Sequence, residues 1–471
     1  MTDKDILITP ELNDIDSGSF DNSTAIIAKG TEAAHSQKQT LEKLSVSSQQ
    51  YQHWLSERQA KIAKPLYIKS ISAESTGKVN PDVVMRDIKT EPGDQFDLQQ
   101  LNHDLIKLYG RDDFSYVGFS VVPYDANNGP ENNDADVIIE AVSKPWGPEY
   151  LKFGFGVATD FDSPTRFNLA ANYRQTWVNS LGAEWRTEMQ LGYDSFITTE
   201  FIQPLQTRDG AFVTPYAGLR RNTIEFYQDK LRVGDYEIKQ LSIGVDVGVT
   251  GKYGELKLGP YFHRVEETPD FGFLNSLAPA ETNSQVGVRL IAVYDQFDSL
   301  HFPRSGSRAS GLIMATDESW GSDQEYTLAQ VKLSSAISFG AHTVLGHVEW
   351  GDDISDTDDL PTYLAFKLGG PARLSGLNLD QLTGTRYALA TLSYYYQYGT
   401  LPSQIGRGIY LGMSLETGRM DDPITPNSNE LSTSGSVYLG ADTVLGSVYL
   451  GYGVSSLDQN TLYLVISDTF F

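Results

Sequence analysis

The sequence predicts a mainly β protein: a sixteen-stranded antiparallel transmembrane β-barrel, preceded by one small α+β domain and a short helical N-terminal segment. Three observations carry this. From Leu151 to Phe471, segments of about ten residues alternate large apolar with small or polar side chains, with turn residues between them. The segments number about sixteen, so about 320 residues leave about twenty per strand plus loop, enough for tilted membrane strands of about 9–11 residues. No run of about 18 apolar residues occurs, so no membrane-crossing helix is expected. Alternation alone does not separate a soluble sandwich from a membrane barrel, which turn opposite faces to water. Segment length, number and context do.

Composition narrows the classes. The 471 residues include no Cys, which removes disulfide and thiolate chemistry. A formal net charge of −25 argues against a nucleic-acid partner, since phosphate binding needs basic patches. The start, Met1-Thr2-Asp3-Lys4-Asp5, lacks the basic and apolar regions of a signal peptide. An exported barrel needs one, so either the barrel reading fails or the chain is a piece whose true start lies upstream.

Residues 1–62 read as a partly helical remnant. Ile6-Leu7-Ile8 suggests a strand; Ser19–Gln37 and Gln39–Lys64 suggest helices, the second with Leu41, Leu44, Tyr51, Trp54 and Leu55 near helical spacing. Residues 63–145 read as a compact β-α-α-β-β unit. Tyr67–Ile71 is its first strand. Asn80 caps a helix with Pro81 at its first position. Phe96–Tyr109 is the second helix, with Leu98, Leu101, Leu105, Ile106 and Leu108 expected on its buried side and Gly110 as its stop. Phe114–Val122 and Asp136–Val142 are the closing strands.

Residues 146–471 read as the barrel. Phe153, Phe155, Trp185, Leu191, Ile243 and Val245 fall on one face; Arg174, Arg186, Glu188 and Asp246 fall on the other. The first strand, near Leu151, is expected to pair with the last, near Leu462–Phe471. Glu266–Asn283 and Asp352–Gly384 break the rhythm and read as loops.

The string from Val84-Met85-Arg86-Asp87-Ile88 through Gly93 and Leu105–Gly110 to Phe114 resembles a polypeptide-transport-associated (POTRA) domain. Asp298-Ser299-Leu300-His301-Phe302-Pro303-Arg304-Ser305-Gly306 and the Gly369-Gly370 loop resemble the bacterial surface-antigen superfamily of barrels. Asp5–Pro10 with Asp14–Phe20 resembles the end of a patatin-like phospholipase domain, so the whole resembles the C-terminal part of a patatin-like type V autotransporter. That resemblance implies a bacterial outer-membrane barrel with its POTRA domain in the periplasm. It would translocate or tether a lipolytic passenger and meet outer-membrane lipid, a polypeptide held by the POTRA domain, and the barrel assembly machinery. The alternative within the superfamily is an insertase for other barrels.

Patatin-like chemistry needs Gly-X-Ser-X-Gly, which is absent here. Asp209-Gly210-Ala211 matches the family's second string only by letters and reads as a hairpin turn. No catalytic, cofactor or metal residues are assigned; His263, His301, His342 and His347 are scattered. The tyrosines, Tyr394-Tyr395-Tyr396 included, read as membrane-interface and strand residues.

The candidate site is the loop motif Gly369, Gly370, Arg373, Leu374, Ser375 and Gly376, expected to fold into the lumen. The resemblance puts an arginine where this chain has Ser375, and Arg373 is the motif's only cation. Its candidate partners are Asp295, Asp298 and Glu416.

Overall fold

The computed structural model describes residues 6–12, 23–62, 66–76, 79–86, 88–110, 113–123, 134–144, 149–205, 210–228, 231–272, 280–355, 360–402, 404–423 and 431–467. The chain divides into two compact units. One gathers Met1–Ile71, Thr90–Gln100 and Ser120–Ile138; the other gathers Ser72–Lys89, Leu101–Phe119 and Ile139–Phe471.

Helices α1 (Ser23–Ser36), α2 (Lys38–Leu41) and α3 (Ser48–Ile62) open the chain. Ser45–Ser47 interrupts the expected second helix, and the Ser47 hydroxyl accepts from the Gln50 N–H at 3.3 Å, starting α3 afresh. Ile6-Leu7-Ile8 forms no strand. Ile27, Leu44, Tyr51 and Trp54 stay exposed, so these helices bury little.

Next come β1 (Tyr67–Ser75), α4 (Pro81–Arg86), α5 (Leu98–Tyr109), β2 (Phe114–Pro123) and β3 (Asp134–Ser143), with sheet order β1-β3-β2. This is a small α+β region with the expected element order. Asn80 accepts from the Asp82 N–H at 3.0 Å and caps α4. On α5 the buried face is Leu101, Asp104, Leu105 and Leu108, spaced i, i+3, i+4, i+7. Leu98 and Ile106, expected inside, fall off that stripe and are exposed. Asp104 is buried because it accepts the Lys89 N–H at 2.9 Å.

The rest is one closed antiparallel barrel. Its wall begins with β4 (Glu149–Thr159), β5 (Arg166–Gln175), β6 (Glu184–Gly192), β7 (Asp194–Pro204), β8 (Ala211–Gln228), β9 (Leu231–Gly251), β10 (Gly254–Gly272) and β11 (Glu281–Asp295). It continues with β12 (Gly306–Thr316), β13 (Thr327–Phe339) and β14 (His342–Asp353). It closes with β16 (Leu382–Thr400), β17 (Gly406–Pro423), β18 (Ser432–Thr443), β19 (Gly446–Ser455) and β20 (Asn460–Ser467). The three-residue β15 (Phe366–Leu368) edges onto β16 beside β14, leaving sixteen full wall strands. Chain entry at Glu149 and the end of β20 share one rim, and the long β14–β16 loop springs from the other.

The wall closes between its first and last strands. Among the described residues, β20 pairs with β4 in antiparallel register from Leu464–Thr159 to Ser467–Gly156. The expected loop over Glu266–Asn283 is mostly strand: β10 runs to Gly272 and β11 starts at Glu281, with Glu267 opposite Glu281. Strand β9, 21 residues long, supplies the pairing partners that extend β10.

The outward face is apolar and uncovered: Phe153 is 74% exposed, Leu191 68%, Ile243 48% and Trp185 47%. A band of this extent does not face water in a soluble protein; hydrocarbon is its solvent. Inside, Arg174 forks onto Glu184 at 2.7 and 3.0 Å, and Arg186 bonds the same carboxylate at 2.8 Å. We expect Val245→Arg, outward at mid-strand, to cost about 2–4 kcal/mol and Gln240→Arg, inward on the same strand, much less. Reversible unfolding in lipid measures both.

The tyrosines do not all belong to an interface girdle. Tyr326, Tyr387, Tyr395, Tyr410 and Tyr463 are buried on the inward face. A lumen filled by loops offers their hydroxyls partners, as Tyr395 shows by donating to the Pro303 carbonyl.

Candidate functional site

The loop between β14 and β16 turns back into the barrel. Leu368, Leu374 and Leu377 are fully buried and join Tyr216, Tyr261, Tyr326 and Tyr387 of the wall in one apolar cluster. Alternation leaves the lumen wall polar, so these leucines need the inward tyrosine rings as partners. The loop backbone is sharply bent: Gly369 and Gly370 have φ of +130° and +102°, and Ala372, Leu374 and Asp380 also adopt positive φ. Non-glycine residues hold such angles at a cost of about 1–3 kcal/mol each, so surrounding contacts must fix them.

Four sets of contacts do so. The Ser375 N–H and hydroxyl both donate to Glu416 on β17, the hydroxyl at 2.8 and 2.9 Å to its two oxygens, and Ser414 donates to the same carboxylate. Arg373 donates to Glu349 on β14 at 3.0 Å and to the Lys367 carbonyl at 3.1 Å. Thr391 donates to the Ala372 carbonyl at 2.8 Å, and Thr461 donates to that of Gly376 at 3.1 Å. At the root, Arg166 of β5 grips Asp380 at 2.6 Å, the Leu379 carbonyl at 3.2 Å and Glu225 of β8 at 3.0 Å. Asp160 accepts the Leu379 N–H at 2.9 Å beside it. Burial disfavours the charge on Asp380, but Arg166 and Lys367 overcome it and hold its carboxyl down to about 2.

Of the three proposed partners, Glu416 touches the motif, but at Ser375 rather than Arg373. Asp295 and Asp298 do not reach the loop. They sit at the opposite rim, where Asp295 accepts the Phe297 N–H at 3.0 Å, and Asp298 accepts the N–H groups of Arg304 and Ser305 at 2.8 and 3.1 Å. A loop rooted at the far rim stops at Glu349 before coming near them. Asp246, another inward acid, is taken by Arg289 at 2.6 and 3.1 Å.

Glu349 and Arg166 escaped the sequence reading. Glu349 shares the inward phase with His347, which is the one signal that could have marked it; nothing distinguishes Arg166 from the other inward arginines. Glu349 also ends an unexpected chain: the Ser334 hydroxyl lies 2.7 Å from His347 Nδ1, and His347 Nε2 lies 2.8 Å from Glu349. Serine, histidine and carboxylate in this order can activate a nucleophile. Here the second carboxylate oxygen is occupied by Arg373 and by Tyr387 at 2.8 Å, so the group ties loop to wall. We expect purified protein to show no esterase turnover that Ser334→Ala removes; turnover lost in that variant would contradict the assignment.

The entry rim has its own insertion. Phe302, at φ +47°, stacks on Tyr410 and Tyr449 with centroids 4.2 and 4.8 Å apart and meets Tyr395 edge-on. The segment around it faces loop residues Pro371–Arg373 across a cavity of about 530 Å³.

A sixteen-strand closed barrel with an apolar outer band and an inward-folded loop defines a membrane-spanning barrel with a loop-filled lumen. Residues 150–455 match the Omp85 superfamily domain, and the chain belongs to that superfamily. BamA from Haemophilus ducreyi lacking POTRA domains 1–3 has a similar fold, with a TM-score of 0.64 at 12% identity, over 85% of this chain and 84% of that one. CdiB from Acinetobacter baumannii and CdiB from Escherichia coli are similar at TM-scores of 0.53 and 10% identity. Each covers 86% of this chain, and 74% and 76% of its own, respectively. No curated protein matches the chain in sequence.

Proposed function

We propose that the chain is a bacterial outer-membrane barrel that moves or tethers polypeptide, with residues 63–145 acting as a periplasmic POTRA domain that receives it. The observation that carries this is the long β14–β16 loop, folded back and docked inside the closed barrel. The wall closes where its first and last strands, β4 and β20, meet without a turn to tie them, next to a lumen plugged by a docked loop. A diffusion pore needs no loop docked across its lumen. The resemblance of Asp5–Pro10 with Asp14–Phe20 to the end of a patatin-like domain supports a lipolytic passenger, with the barrel itself not an enzyme. Action on other barrel proteins is the second reading, favoured by the fold shared with BamA.

The test pairs Ala158→Cys with Val465→Cys, which face each other across the seam. A protease-sensitive reporter is fused to the N-terminus of the full chain in cells. Oxidation is expected to stop the reporter from reaching the surface, and reduction to restore it. Unchanged export under oxidation would overturn the seam's role. Normal export with failed assembly of other barrels would select the second reading.

A further inference from the structure

Three adjacent strands end their outward apolar run on a cation at one height. On β8 the run closes at Leu219 and then Arg221. On β9 it passes Val249, Val247, Val245, Ile243 and Leu241 and closes at Lys239. On β10 it passes Leu256, Leu258 and Phe262 and closes at Arg264. The register holds them together: Arg221 lies opposite Lys239, and Leu241 lies opposite both Leu219 and Arg264. Two acids share the patch. Glu237 takes Arg221 at 2.6 Å and Lys239 at 3.1 Å, and Glu266 lies opposite Lys239. Three cations against two acids leave one positive charge in excess, and among the described residues Arg264 has no ion pair. On the far side of the outer wall, Arg386 lies 2.7 Å from Asp352, and Arg419 pairs with Asp421.

The same place is concave. Strands β5 to β7 have 10, 9 and 11 residues, while β8 to β10 have 18, 21 and 19. The wall therefore steps up at β8, which continues past Asn222, the last residue paired with β7. Under the step lies an outer groove of about 840 Å³, floored by Leu169, Met189, Leu191, Ile197, Leu219 and Leu241. Arg221, Lys239 and Arg264 stand on its rim.

We propose that this groove seats one phosphorylated, multiply acylated glucosamine lipid of the outer leaflet, with acyl chains on the apolar floor and phosphate on the rim cations. This rests on the outer-membrane reading above, which makes the loop rim the outer one. A guanidinium at the edge of an apolar belt is costly without a partner, and a phosphate bound through two N–H groups is the partner its geometry fits. Basic pockets beside an apolar surface select lipid headgroups in the same way.

The test uses the full chain in phosphatidylcholine nanodiscs, with bis-phosphorylated lipid A added at a few per cent. Native mass spectrometry then counts retained lipids. One retained lipid A per barrel is expected, with retention weakened roughly tenfold in Arg264→Gln and further when Arg221→Gln and Lys239→Gln are added. Arg386→Gln with Arg419→Gln is expected to leave retention unchanged. Phosphatidylglycerol and free inorganic phosphate are expected not to compete. Equal retention by wild type and the triple variant, or equal retention of phosphatidylglycerol, would overturn the proposal. Unchanged strand content by circular dichroism shows that each variant folds, and the single Arg264→Gln decides if the triple does not. A barrel that fractionates to the outer membrane yet retains no lipid A sinks this site alone; one absent from that membrane sinks the reading beneath it.

Discussion

Replacing Arg166 by Met is expected to destabilise the barrel by about 3 kcal/mol, the cost of stranding one buried and one half-buried carboxylate. Arg166 is the common ligand of Asp380 in the loop and Glu225 in the wall, and its guanidinium lies 4.4 Å from the Tyr193 ring centroid. Both acids lose their nearest cation together. Arg232, 3.5 Å from Glu225, keeps part of the compensation and holds the cost to that figure. Removing the acids as well, as Arg166→Met with Asp380→Leu and Glu225→Leu, is expected to cost less than the single change, because no unpaired charge then remains. Urea unfolding in lipid vesicles compares the two; a single variant as stable as wild type would show the tie to be idle. The acid limb should follow. The folded carboxyl of Asp380 sits at about 2, below its ordinary 3.8, so its contribution is complete above pH 4 and is lost as pH falls through about 2. In Arg166→Met that acid-dependent loss shrinks.

The barrel was legible because its signal is periodic. A lipid-facing side chain has to be apolar at every second position, so Trp185 to Leu191 and Ile243 to Val249 declare a face without any partner being known. The loop's burial was also legible, since Leu374 and Leu377 are apolar in a segment that belongs to no strand. Its partners were not. Which inward carboxylate meets which loop residue depends on how deep the loop descends and on register across strands far apart in sequence, such as Ser375 to Glu416 and Arg166 to Asp380. Charge complementarity alone paired Arg373 with Asp295, Asp298 or Glu416. The rim on which each acid sits removes the first two, and the depth of the backbone gives the third to Ser375. The serine in the arginine's place is therefore a working contact: its N–H and hydroxyl share a carboxylate that a longer side chain would have pushed away.

Gly453→Ala is expected to expel the loop. A Cβ at Gly453 of β19 would lie 2.0 Å from the Ser375 carbonyl oxygen, and one at Gly376 would lie 2.3 Å from the Ser455 nitrogen. Loop and wall touch backbone to backbone, and neither can yield as a flexible side chain would. The wall is held on both sides, by Ser436 of β18 and Thr461 of β20 opposite Gly453. The loop has to move instead, which breaks the Ser375–Glu416 and Thr461–Gly376 bonds together. Overpacking of this kind costs about 1–3 kcal/mol, and the loop's positive-φ residues lose the contacts that hold them. Trypsin reads the result directly, because Arg373 lies in the displaced stretch. Wild type should resist cleavage after Arg373, and Gly453→Ala should be cut there while its barrel still migrates as folded on an unheated gel. Gly346→Ala, where a Cβ meets nothing within 4 Å, controls for the loss of a strand glycine and should stay resistant. Protection persisting in Gly453→Ala would mean that the side-chain anchors at Glu416, Glu349 and Arg166 seat the loop without the close backbone fit.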